Sequence, residues 1–137
     1  MKNTYNNNNI FAKILRKEIP SIRVYEDNNT LAFLDKTPKA HGHTLVIPRK
    51  AYRNLFDADP ETLAYLIQTV QKIAKAVKTA FLADGITLMQ FNEAASGQTI
   101  YHLHFHIIPR LADLPLITDP ITLEEAAQKI RLALQNL

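Results

Sequence analysis

His102-Leu103-His104-Phe105-His106-Ile107-Ile108 is the stretch on which the reading of this chain turns. Three of the chain's five histidines lie in it. Its flanks, Thr99-Ile100-Tyr101 and Ile107-Ile108-Pro109, read as β-strand, so His102 to Ile108 is expected to be one extended segment. Successive side chains on a strand point to opposite faces. Leu103, Phe105 and Ile107 are then expected to face the core. His102, His104 and His106 are expected to share the other face, neighbours roughly 6.5–7 Å apart. Packing alone explains such a row of imidazoles poorly. Imidazole near pH 7 is a nucleophile, an acid, a base or a metal ligand.

The segments around that strand give an α+β architecture. Ile10 to Lys17 has an amphipathic helical pattern ending before Pro20. Ile22 to Glu26 and Thr30 to Leu34 read as strands joined by the polar turn Asp27-Asn28-Asn29. Thr44 to Ile47 is a third strand, stopped by Pro48. Asp59-Pro60 is a helix start, with a capping side chain followed by proline. Leu63, Leu66, Ile67, Val70, Ile73, Ala74, Val77 and Phe81 continue it at spacings of three and four, to an end near Gly85. Ile86 to Phe91 is a fourth strand and His102 to Ile108 the fifth. Thr122 with Glu125 makes a capping box before Ala126, Ala127, Ile130, Leu134 and Leu137. Five strands with few intervening helices predict a mostly antiparallel sheet.

Composition narrows the classes. A chain of 137 residues, 47% hydrophobic and 21% charged, is expected to form a single soluble domain over residues 10–137. Residues 1–9, with asparagine at 6 to 9, read as a flexible polar lead-in without a signal core. No apolar run approaches a membrane span. A net charge of +3 is too mild to argue for nucleic acid. The chain has no cysteine, hence no thiolate nucleophile and no thiolate metal site. A cytoplasmic protein is expected.

Three readings of the histidine row compete. An internal affinity tag does not fit a run set between apolar strand residues. Zinc could be chelated by histidines at i and i+2, with His41 or His43 completing the set. One imidazole could instead attack phosphate covalently. The loop from Asn92 to Thr99 favours the last. It is rich in small residues, so backbone can approach a ligand. Gly97 is expected to turn its N–H toward an anion, and Gln98 and Thr99 supply neutral donors. A metal site would want more ligands there, and Glu93 is the single candidate.

At this point the motifs resemble a known family. His102 to Ile108 is similar to the histidine triad signature, His-φ-His-φ-His-φ-φ with φ apolar. Ile10-Phe11-Ala12-Lys13-Ile14, Glu18-Ile19-Pro20, Ala32-Phe33-Leu34-Asp35 and Gly42 to Pro48 resemble the N-terminal half of that family, on its Hint side and in its bacterial relatives. Gly97-Gln98-Thr99 and Pro109-Arg110 look like the Fhit side. The resemblance implies a histidine triad (HIT) fold with a five-stranded sheet, one long helix and a C-terminal helix. It implies a hydrolase acting at the α-phosphorus of a purine nucleoside phosphoramidate, or of a dinucleoside polyphosphate, through a nucleotidyl-histidine. A nucleotide-binding regulatory protein without turnover is the non-enzyme alternative. The nucleophile falls on His104, oriented by the His102 carbonyl. His106 is implied to contact the transferred phosphate, and His43 to buttress the triad. Some relatives carry glutamine where His106 stands and transfer nucleotides, so His106 points to hydrolysis. Asp35 is implied to accept the ribose hydroxyls. Asn92, Gly97, Gln98 and Thr99 are implied to contact ribose and phosphate. Ile10, Phe11, Ile14, Phe33 and Leu45 are implied to form the apolar base slot. Lys36 stands where relatives often carry isoleucine. No role is implied for His41, and Arg110 could meet outer phosphates. A homodimer joined through a strand edge and the long helix is implied, with no metal and no cofactor.

Overall fold

The computed structural model describes residues 4–113 and 120–137. Five strands form one antiparallel sheet in the order β1-β2-β3-β5-β4. They are β1 Arg23–Glu26, β2 Thr30–Leu34, β3 Thr44–Pro48, β4 Gly85–Met89 and β5 Phe105–Arg110. Three helices complete the fold: α1 Ile10–Leu15, α2 Pro60–Ala80 and α3 Leu123–Gln135. The α+β reading is the observed architecture.

Strands β2 and β3 are buried along their whole length because both faces of the sheet are covered. Ala32, Leu34 and Val46 face α2 and α3, where they meet Leu66, Val70, Ile73, Val77 and Ile130. Leu31, Phe33, Leu45 and Ile47 alternate to the other face and pack with Phe11 and Ile14 of α1. The second, smaller core forms the floor of the pocket described below.

The caps explain where the helices start and stop. The Asp59 carboxylate accepts the Thr62 N–H at 2.7 Å, with Pro60 following. Thr122 and Glu125 make both bonds of the expected capping box. Helix α2 ends at Ala80, before the expected Gly85. Leu82 takes the left-handed conformation there, at φ 51°. Its N–H reaches Thr79 O, and the Ala83 N–H reaches Lys78 O, a Schellman closure without glycine. Lys17, at φ 64°, closes α1 in the same way.

One expectation needs correction. Strand β5 begins at Phe105, three residues later than predicted, because the Leu103 N–H bonds Tyr52 O in a loop instead of entering the ladder. Within the lead-in, Tyr5 bonds His102, and the Asn9 side chain caps α1 on Ala12 N–H at 2.9 Å. Residues 1–3 of that segment lie outside the described residues. Among the described residues no helix is long and apolar enough to cross a membrane.

Candidate active site

A cavity of about 700 Å³ opens over the α1 face of the sheet. Ile10, Phe11, Ile14, Phe33 and Leu45 supply its apolar wall. Asp35, Lys36, Thr99, His104 and His106 bring polar atoms to it. Pro20, Ile22 and Leu123 also line it and escaped the sequence reading, because each reads as ordinary core or loop. Leu123 brings the start of the C-terminal helix to the pocket. Ser21 lines it as well, and its hydroxyl is buried with no partner among the described residues.

Leu103, Phe105 and Ile107 pack in the main core, as the alternation predicts. His104 and His106 sit side by side in the pocket, ring centres 5.1 Å apart. The His102 ring is fully buried and does not line the pocket. Its Nε2 lies 2.8 Å from Pro48 O and its Nδ1 2.6 Å from the Tyr5 hydroxyl. The backbone carbonyl of His102, not its ring, reaches the site: it accepts from His104 Nδ1 at 2.6 Å.

That contact fixes a tautomer. A carbonyl only accepts, so the proton of His104 is on Nδ1 and Nε2 keeps its lone pair. Burial holds His104 at a pKa of about 4, well below the ordinary 6.5; the His102 carbonyl and Asp35 work against that shift, and neighbouring His106 adds to it. His104 is therefore a neutral imidazole at pH 7. The Phe11 ring meets it edge-on at 4.9 Å and holds its plane.

A second chain of bonds fixes His106. The Lys39 backbone N–H donates to His43 Nδ1 at 3.1 Å, so the proton of His43 is on Nε2. His43 Nε2 lies 3.0 Å from His106 Nδ1 and donates to it. His106 then carries its own proton on Nε2. Burial lowers the pKa of both rings. Gly42 lets this loop form: it has φ 87°, and a Cβ there would lie 2.3 Å from the Phe81 ring. His41 lines a neighbouring cleft, not this pocket.

Asp35 follows β2 directly, beside this pair. Its Oδ1 accepts the Thr37 N–H at 2.9 Å, and Oδ2 lies 3.5 Å from His43 Nε2. Asp35, His43 and His106 thus bring ligand-type atoms within 4.8 Å of one another, a spacing that suits a metal. Their protons argue otherwise. A metal-bound histidine donates its second N–H to an acceptor. Here the second nitrogen of His43 faces the Lys39 N–H, which leaves Nε2 protonated and without a lone pair for a metal.

The loop expected to cradle phosphate is organised differently. The Gly97 N–H is spent on Ala94 O within a short 3₁₀ turn, Ala94–Ser96. The Gln98 side chain is buried and fully bonded, to Asn54 Nδ2, Glu93 N–H, Arg53 O and Ile100 O. The Asn92 side chain bonds the Leu55 N–H and Gln90. None of these three lines the pocket; Thr99 does. The loop is tied to Arg53, whose guanidinium makes a two-point pair with Glu93 at 2.8–2.9 Å. Arg110 does not line the pocket either: it donates from Nε to Thr87 Oγ1 at 3.0 Å, and its charge helps to lower the pKa of His43.

Fold and site together define a domain built around paired, tautomer-fixed histidines beside an apolar slot. The HIT domain pattern matches residues 16–113, and this chain belongs to the HIT family. It is 41% identical over 107 residues to adenylylsulfatase HINT3 of Arabidopsis thaliana, covering 78% of this chain and 54% of that protein. The chain thus spans about half the length of that relative. It is 42% identical over 103 residues to Protein hit of Bacillus subtilis, covering 75% of this chain and 71% of that one. A Hit-like protein from Bartonella henselae, described as involved in cell-cycle regulation, superposes with a TM-score of 0.89 at 66% identity, covering 95% of this chain and 99% of that one. A zinc-bound histidine triad protein from Mycobacterium smegmatis gives 0.87 at 37% identity, covering 94% of each chain.

Proposed function

We propose that this chain is a nucleotide hydrolase cleaving purine nucleoside phosphoramidates at the α-phosphorus, with His104 as nucleophile. The observation that carries the reading is the bond from His104 Nδ1–H to His102 O, which leaves the Nε2 lone pair in the pocket. No deprotonation is needed before attack.

Nε2 attacks phosphorus as the P–N bond to the leaving amine breaks, and the amine leaves with a proton from solvent. His106 Nε2–H donates a hydrogen bond to the phosphoryl group as its charge shifts. Water then attacks the phosphorus, the bond to Nε2 breaks, and the mononucleotide departs. Asp35 Oδ2 accepts the ribose hydroxyls. Phe11, Phe33 and their aliphatic neighbours take the purine by apolar area, and Thr99 gives the phosphate a donor. Asn92, Gly97 and Gln98 serve by shaping the loop that carries Thr99. No metal takes part. The name of the Arabidopsis relative, an adenylylsulfatase, supports an adenylyl substrate.

The reading includes a homodimer joined along β4 and α2. In support, β4 is a sheet edge, and Leu88 and Ile67 are 46% and 48% exposed on these two elements. A single-turnover panel of adenosine phosphoramidate, AMP-lysine and diadenosine polyphosphates tests the function. Stoichiometric binding of AMP without cleavage of any of them would make the protein a nucleotide-binding regulator instead.

A further inference from the structure

Tyr5 stands outside the pocket, yet it contacts a residue that orients the nucleophile. Its hydroxyl lies 2.6 Å from His102 Nδ1, and its ring meets the imidazole edge-on at 5.6 Å. The far side of that imidazole gives the bond its direction. Pro48 C=O can only accept, so His102 Nε2 carries the proton and Nδ1 offers a lone pair. Tyr5 is therefore the donor. Burial pushes its hydroxyl above the ordinary value of 10, so it keeps its proton. Both nitrogens of a fully buried ring are thus bonded, which leaves one orientation for the residue. The carbonyl of that same residue accepts the His104 Nδ1–H.

We propose that Tyr5 is a positioning residue for His104: its hydroxyl locks His102, whose carbonyl aims His104 Nε2 into the pocket. The proposal rests on His104 being the nucleophile, and Tyr5 itself touches no substrate. Without the hydroxyl, the buried Nδ1 loses its donor. The ring relieves that by turning toward water, and the turn moves the carbonyl.

Tyr5→Phe removes one oxygen atom. In single turnover with adenosine phosphoramidate, formation of the nucleotidyl adduct is expected to slow about tenfold, while AMP affinity stays within about twofold. In nitrogen-15 NMR, the His102 Nδ1 signal is expected to move and the His104 Nδ1–H to exchange faster with solvent. Tyr5→Gly separates hydrogen bonding from packing: 4-methylphenol should restore the rate and toluene should not. A full adduct rate in Tyr5→Phe, equal rescue by toluene, or a parallel loss of AMP affinity would overturn the proposal. His104→Ala in the same assay separates the two readings. If it still forms the adduct, the nucleophile is elsewhere and both fall. If it is inactive while Tyr5→Phe is fully active, only the role of Tyr5 falls.

Discussion

His43 donates from Nε2 to His106 Nδ1 across 3.0 Å, and the Lys39 N–H on its other nitrogen determines that direction. All the pocket imidazoles are thereby neutral, each with its proton on a defined nitrogen. The pH dependence follows. Protonation of His104 Nε2 removes the lone pair, so activity falls as pH drops through its folded value, about 4. The acid limb of kcat/KM is expected near pH 4, not near the 6.5 of free imidazole.

Stability moves in the same direction. The pKa values of His102 and His104 are lowered to about 4 by burial. Below 6.5 the unfolded chain binds these protons and the folded one does not. The stability is present above pH 6.5 and is lost as pH falls from 6.5 toward 4. At pH 5 each group costs up to about 2 kcal/mol. Urea unfolding at pH 7 and pH 5 measures this, and equal midpoints would contradict the buried neutral rings.

Asp35 gives a prediction with a built-in control. Its Oδ1 holds the turn at Thr37, and Oδ2 is left for ribose. Charge-assisted bonds to the two hydroxyls are worth about 1.5–3 kcal/mol each. Asp35→Ala is expected to weaken AMP binding at least about tenfold, as 1.4 kcal/mol is a factor of ten. Asp35→Asn keeps an acceptor for the turn and isolates the charge. A 2′,3′-dideoxy nucleotide should lose affinity for the wild type and little for Asp35→Ala. Equal losses in both would place Asp35 outside the ribose site.

Metal removal should leave activity near its starting value. The chain lacks cysteine, and the Lys39 N–H holds His43 in the tautomer that cannot ligate through Nε2. Extensive chelation followed by assay and elemental analysis checks this. Stoichiometric zinc whose removal stops turnover would support a zinc hydrolase using Asp35, His43 and His106.

Much of this was legible in the residues. The Asp27-Asn28-Asn29 turn before Thr30–Leu34, the β-branched run Thr44 to Ile47, the Asp59-Pro60 start and the Thr122–Glu125 box are local signals, and each marks an element of the fold. The apolar residues from Ile10 to Leu45 came from motif resemblance, and they line one cavity. Period-two alternation put Leu103, Phe105 and Ile107 in the core, but the depth of His102 was not legible: its ring is buried on Pro48 and Tyr5, outside the pocket lining. Gly97 and Gln98 look like anion donors in sequence, but their polar groups are used to build the loop. Tyr5 carried no local signal, because its partner is distant in the chain. Helix ends at Lys17 and Leu82 were missed, since left-handed closure without glycine leaves no mark in the sequence.

Arg110 bears on the leaving group. Its bond to Thr87 holds it at the β4–β5 ladder, and it does not line the pocket. Arg110→Ala should therefore barely change phosphoramidate turnover. Adenosine phosphoramidate should exceed diadenosine triphosphate in kcat/KM by at least about tenfold, a transition-state difference of 1.4 kcal/mol. A faster triphosphate reaction that depends on Arg110 would make the protein a dinucleoside polyphosphate hydrolase.

The nucleophile is the central claim, and trapping it is the most direct test. Acid-labile adduct should be captured within one turnover of adenosine phosphoramidate and mapped by mass spectrometry. The account predicts a nucleotidyl group on His104, with His104→Ala binding AMP but forming no adduct. An adduct on His106 or His43, or undiminished turnover in His104→Ala, would contradict it.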